Sequence, residues 1–168
     1  MQKKTDYATA VATKYPEQVV IVVAKDARGR ANPITIGWTM IASGSPPMMA
    51  IAVANGHYSV EAIRSSGCFT IAYPSAEMAD AALFFGSRSG REVDKFAEFR
   101  CATKNAEAID SILLDDAAAN FECVLKSETQ AGDHVIFVGQ VVCSHVNGEA
   151  RKRLYVVGPG HKMGPVKV

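Results

Sequence analysis

Apolar residues along this chain come in short runs, each closed by small, charged or turn-forming residues. Val19 to Ala24 is the first run, ended by Lys25-Asp26, and Ala27-Arg28-Gly29-Arg30 follows as a turn. A second run begins near Pro33 and reaches Ile41, so the two predict a hairpin with a loop slightly longer than the tightest type. Ser43-Gly44-Ser45-Pro46-Pro47 breaks the chain before a third run, Met48 to Ala54. None of the three alternates cleanly, as expected of strands covered on both faces. Tyr58 to Ser66 predicts a short helix, with Val60 and Ile63 at i,i+3 and Gly67 as its stop. Cys68 to Tyr73 is another strand, and Ser75 can cap a helix from about Ala76 to Phe85.

After the polar loop Gly86 to Gly90, Ser89-Gly90-Arg91-Glu92 fits a capping box and predicts a short helix over Glu92 to Phe99. From Ala119 to Thr129 the pattern alternates. Phe121, Cys123 and Leu125 lie on one face and Asn120, Glu122 and Lys126 on the other, which predicts a strand with one wet face. Ala131-Gly132-Asp133 is a turn, Val135 to Val146 returns as the partner strand, and Asn147-Gly148 ends it. Leu154 to Val157 is a last short strand before the tail Gly158 to Gly164. Strands in hairpins with a few clustered helices predict a mainly β, antiparallel, meandering barrel over one domain, 1–168, rather than a βαβ sheet.

Composition narrows the partners. The 168 residues are 48% hydrophobic and 21% charged, as in an ordinary folded domain. Eighteen basic against 17 acidic residues leave a net charge of +1. Such a balance offers no electrostatic footprint for nucleic acid or an anionic membrane, so any anion site must be local. No apolar run approaches the roughly 20 residues that span a bilayer, and no targeting segment is visible, so the expected setting is cytoplasmic. Cys68, Cys101, Cys123 and Cys143 are widely spaced, form no Cys-x-x-Cys pair, and are expected as reduced thiols. His57, His134, His145 and His161 are far apart in sequence, and no metal is expected.

Four segments carry candidate chemistry. In Thr35-Ile36-Gly37-Trp38, Thr35 and the neighbouring backbone can hydrogen-bond a planar heterocycle, and Gly37 lets a ring approach the chain. Trp38 as a core anchor, with Gly37 as a bulge, is the other reading. Asn55-Gly56-His57-Tyr58-Ser59 joins a strand to a helix whose first amides, with the Ser59 hydroxyl, can hold a phosphate; Ser59 as a simple cap is the other reading. Gly86 to Lys95 packs Arg88, Arg91 and Lys95 among two serines and two glycines. With Arg91 and Lys95 at i,i+4 on the predicted helix, it is a local anion site or a solvated loop balanced by Glu92 and Asp94. Gly132-Asp133-His134 is a hairpin tip, either a plain turn or a turn that aims His134 into a cleft where it can exchange a proton.

Taken in order, Thr35-x-x-Trp38, Ser45-Pro46-Pro47 leading to Asn55–Ser59, Ser89-Gly90-Arg91-x-x-Asp94-Lys95-Phe96 and Gly132-Asp133-His134-x-x-x-x-Gly139-x-Val141 resemble the flavin reductase-like family. The flavoredoxin-like branch is the nearest. The resemblance implies a split β-barrel, a homodimer and one non-covalent FMN per subunit, with NADH or NADPH as co-substrate. It implies that Thr35, Ile36, Gly37 and Trp38 line the isoalloxazine ring. Asn55, His57 and Ser59, completed by Ser89, Gly90, Arg91 and Lys95, would hold the phosphate end. His134 would stand near the reactive side. The implied reaction is hydride transfer from nicotinamide to flavin N5. A flavoredoxin-like electron carrier is the alternative, and a monooxygenase or another redox protein is the expected partner. His161 stands where relatives often place a tyrosine.

Overall fold

The computed structural model describes residues 1–166. The chain opens with a short helix, α1 (Tyr7–Val11), and a two-residue strand, β1 (Glu17–Gln18). Then come β2 (Val20–Lys25), β3 (Ala31–Ile36), β4 (Thr39–Gly44), β5 (Pro47–Ala54), α2 (Tyr58–Ser66) and β6 (Cys68–Tyr73). A 3-10 turn at Ala76–Met78 leads into α3 (Ala79–Ser87), and α4 (Lys95–Glu98) is a single turn. The strands β7 (Thr103–Asn105) and β8 (Ile112–Leu114) pair with each other. A long hairpin follows, β9 (Ala119–Ala131) with β10 (His134–Val146), and then β11 (Leu154–Gly158) and β12 (Lys162–Pro165). Among the described residues no helix is long and apolar enough to cross a membrane.

Seven strands form one antiparallel sheet in the order β3-β2-β6-β9-β10-β5-β4. Its two edge strands, β3 and β4, are consecutive in the chain and joined only by Gly37 and Trp38. That two-residue link forces the sheet to curl until its edges meet, so the molecule is the antiparallel barrel expected from the pattern of runs, in the split form that the resemblance implies. A smaller sheet, β1-β11-β12, lies beside it, and Gln18 Nε2 donates to the Thr39 carbonyl across the gap.

The core has two compartments because β2 is buried on both faces. Val20, Val22, Met49, Ile51, Phe69, Ile71 and Phe137 fill the inside of the curl. Val19, Ile21, Val23, Phe85, Leu114 and Leu154 fill the space between the sheet and α3, β8 and β11. Burial on both sides explains why Val19 to Ala24 shows no alternation.

Several expectations change. The run from Pro33 to Ile41 is two strands, not one, and they sit on opposite edges of the sheet. Ser75 precedes the 3-10 turn without a side-chain cap bond, and α3 starts at Ala79. The helix expected over Glu92 to Phe99 contracts to Lys95–Glu98, because Asp94, not Ser89, caps it by accepting from the Ala97 amide at 3.1 Å. The tail after Val157 folds back as β12.

The polar face of β9 is wet only beyond Val124. Asn120 and Glu122 are buried beneath the segment 106–117. Asn120 exchanges hydrogen bonds with both backbone groups of Leu114, at 3.0 Å each. Glu122 accepts the amides of Glu107, Ala108 and Ile109 at 2.9, 2.7 and 3.1 Å. Burial alone would raise the Glu122 carboxyl, but the amides of Glu107 and Ala108 and the His145 hydrogen bond outweigh it and hold it below its ordinary value.

Gly139 marks where the hairpin presses closest to the inner core. A Cβ there would lie 2.7 Å from Phe69 Cζ and 2.8 Å from Cys123 Cβ, both fully buried. Neither atom ends a flexible side chain. G139A is expected to lower stability by about 1–3 kcal/mol through overpacking. The shift in urea midpoint would show it, and adding F69L should restore part of the loss.

Candidate functional site

The densest convergence of polar groups lies where β3, the start of α2, the end of α3 and the loop before α4 meet. A cavity of about 210 Å³ opens there, lined by His57, Ser59, Arg88, Ser89, Gly90 and Lys95 among others, with no carboxylate in its wall. Lys95 is the central group. Its side chain is 3% exposed, and Nζ donates to the carbonyls of Pro33 at 2.7 Å and Phe85 at 2.8 Å. An ammonium has three donors, so one remains for a ligand. Burial lowers its pKa to about 8. A cation so placed gains strongly from a bound anion.

The rest of the wall is held by a network behind it. Buried Asp26 accepts the amides of Arg28 and Arg30 at 2.9 and 3.0 Å, the Arg30 Nε at 3.2 Å and the Tyr58 hydroxyl at 3.1 Å. Arg30 donates onward to the Gly90 carbonyl. Asn32 Nδ2 donates to Ser59 Oγ at 2.8 Å, while Asn32 Oδ1 is buried with no partner. Gly90 is pressed against Asn32, and a Cβ there would stand 2.9 Å from Tyr58 Cδ1. The loop can approach only because that residue has no side chain. The Tyr58 and Ser59 amides, at the start of α2, have no intrahelical acceptor.

From this cavity a groove continues around β3. A depression of about 200 Å³ shares Gly86 and Ser87 with it and reaches Thr35, His161 and Met163. A further one of about 230 Å³ runs from Thr35, His161 and Met163 to Trp38 and Tyr15. Thr35 Oγ1 lies there, buried and without a partner. A fourth hollow of about 180 Å³, lined by Ile36, Gly37, Trp38, Ala52, Ala54, His57 and His134, returns to the start at His57. His134 packs on Trp38 with ring centroids 4.4 Å apart, and its Nδ1 lies 2.6 Å from Asp133 Oδ1. Burial lowers the His57 pKa, and the positive charges of Lys95, His134 and Arg91 lower it further.

The structure therefore brings Thr35, Ile36, Gly37, Trp38, His57, Ser59, Ser89, Gly90, Lys95 and His134 onto one continuous groove. Two expected residues are placed otherwise. Arg91 lies in the turn before α4, not on a helical face with Lys95; it donates to the Gly56 carbonyl at 2.9 Å and to Glu61. Asn55 accepts from Gln130 at 3.2 Å, toward the hairpin tip. Arg88, Asn32 and His161 were not among the candidates, although Arg88 belongs to the same cation cluster. Asn32 carried no signal, because its partner Ser59 is 27 residues away.

The chain is 29% identical over 162 residues to an uncharacterised protein of Aeropyrum pernix, covering 90% of this chain but only 61% of that protein. It is 26% identical over 152 residues to a Variovorax paradoxus protein named FMN reductase (NADH), covering 90% of this chain and 81% of that protein. The fold superposes on the crystal structure of flavoredoxin from Methanosarcina acetivorans with a TM-score of 0.87 at 21% identity, covering 100% of this chain and 92% of that one. The model of the flavin reductase like domain matches residues 12–162, nearly the whole barrel with its groove, and the chain belongs to the flavin reductase like family.

Proposed function

We propose that the groove holds non-covalent FMN and that the protein is an NAD(P)H-dependent flavin reductase built as a single domain over 1–168. The observation that carries this reading is the buried Lys95 ammonium, with a free donor, in a cavity without carboxylates. The phosphate fits there, held by Lys95, Arg88, the Ser59 hydroxyl and the first amides of α2. Thr35 Oγ1, buried and unpartnered, is suited to a polar edge of the flavin ring lying along Thr35, Ile36, Gly37 and Trp38. Ser89 and Gly90 shape the loop, while Arg91 steadies the Asn55–His57 turn from behind through the Gly56 carbonyl. When bound, FMN supplies two-electron exchange with NADH or NADPH. His134, oriented by Asp133 and Trp38, keeps Nε2 to give or take a proton beside the groove. The name of the Variovorax paradoxus relative supports the nicotinamide-dependent reading.

The assembly is proposed as a homodimer through the face of β4, where Trp38, Met40 and Ile41 are 48%, 59% and 73% exposed. Contiguous apolar surface of this kind usually meets a partner. The four unpaired cysteines support a cytoplasmic setting. Purified protein should carry or take up one FMN per chain, bleach under anaerobic NADH or NADPH, and scatter light as two chains. A protein that neither binds FMN nor oxidises either nicotinamide would sink the proposal. FMN held tightly but reduced slowly by both would favour the flavoredoxin-like electron carrier.

Two variants separate the arginines. R88A is expected to weaken FMN binding by about 1.5–3 kcal/mol, on the order of tenfold or more in Kd, the worth of a charged hydrogen bond. R91A, already committed to Glu61 and Gly56, should cost clearly less. Fluorescence titration of FMN reads both.

FMN affinity should also depend on pH with a definite sign. Below about 8 the free protein already carries the Lys95 charge, so affinity is flat on that account. Above it, affinity should fall by up to about tenfold per pH unit as the ammonium loses its proton before binding. The unfolded chain keeps that proton to about 10.4, so the apoprotein gains stability over the same interval. An apoprotein melting temperature that falls across this interval, or an FMN affinity that does not fall, would contradict this account.

A further inference from the structure

Three metal-ligating side chains that the flavin groove does not use meet on the outer face of the β9–β10 ladder. The register of β10 slips between Val141 and Cys143. Val141 pairs with Cys123 and packs on the inner core; past the slip, Cys143 pairs with Glu122. One extra residue reverses the face that later side chains take. Cys143 and His145, two apart, therefore both stand on the outer face with Glu122.

The ligating atoms lie within 4.8 Å of one another. Cys143 Sγ is 3.5 Å from His145 Nε2, and Nε2 is 2.7 Å from Glu122 Oε1. Tetrahedral zinc with ordinary bond lengths holds its ligand atoms about 3.3–3.6 Å apart. The sulfur–nitrogen separation already matches. The nitrogen–oxygen separation is that of a shared proton, and it needs to open by only about half an ångström when a metal takes the proton's place.

Glu122 is fully buried and fixed by three backbone amides, so it is an ionised ligand that needs no ordering. Behind the histidine, a Glu107 carboxylate oxygen lies 3.9 Å from His145 Nδ1, an ion-pair contact too long for a hydrogen bond but on the side where the ring proton is left when Nε2 binds a metal. Thr70, the register partner of Glu122 on β6 and so on the same face, is fully buried with its Oγ1 unpartnered.

We propose that Cys143, His145 and Glu122 form a zinc(II) site. Sulfur, nitrogen and oxygen together suit a borderline-soft divalent ion. On binding, the thiol proton is released, and the imidazole proton moves from Nε2 to Nδ1 beside Glu107. The site lies nine residues along β10 from His134, about 30 Å at the rise of a strand. It does not touch the flavin groove; it pins the segment 107–109 to the hairpin.

Tag-free protein is loaded with zinc chloride, passed through gel filtration and assayed for metal by mass spectrometry. One zinc per chain is expected, with C143S and H145Q each weakening retention against a competing chelator by about tenfold or more. Zinc should also slow iodoacetamide modification of Cys143 in the unmutated protein but not of the similarly half-buried Cys101, which needs no variant to fold. No zinc retained, retention by either variant equal to that of the unmutated protein, or an unchanged Cys143 modification rate would each overturn the proposal.

Discussion

The Lys95 ammonium between the Pro33 and Phe85 carbonyls is the constraint on which the groove depends. It ties an edge strand of the main sheet, 62 residues before it in the chain, to the last turn of α3, 10 residues before it. A charge that deep must keep its partners or be given up. Those two carbonyls hold β3 and α3 at a fixed separation, and the cavity is the space that separation leaves. The Asp26–Arg30–Gly90 relay then sets the loop that closes the other side.

Glu122 makes an instructive contrast. It too is a buried charge, but three amides and an imidazole surround it. Lys95 has two acceptors and a donor to spare. A buried charge whose lone pairs are shared with the backbone builds structure, here by fastening an irregular segment over β9 while one oxygen still faces His145. An undersaturated one, open to a cavity, waits for a counter-ion. The chain places the first at the centre of the main sheet and the second at its β3 edge.

Much of the framework was legible because its cause is local. The helix Tyr58–Ser66 showed itself through Val60, Ile63 and Gly67, which takes φ +65° at the helix end. The β9–β10 hairpin followed from alternation and the Gly132 turn. What could not be read depended on distant partners. Nothing in Gly37-Trp38 says that the strands on either side belong to opposite edges of a sheet. The alternation of β9 gave the right faces, but only the covering segment 106–117 decides which polar residues stay wet, and that segment has no periodicity of its own. In the cation cluster the composition was informative and the geometry was not. The helix started three residues later than its capping-box pattern implied, so Arg91 turned to Glu61 and Arg88 turned to the cavity.

Pro33 has one more consequence. It sits in an edge strand, opposite Val23, and its missing amide cannot join the ladder on either side. In an antiparallel strand the backbone groups of alternate residues face the same way, so the Pro33 carbonyl taken by Lys95 marks the free edge. An unpaired sheet edge invites another chain to add a strand. With an imide in place of a donor and its carbonyl already occupied, the centre of β3 cannot template such pairing. The residue that gives Lys95 an acceptor also closes the centre of this edge to a further strand.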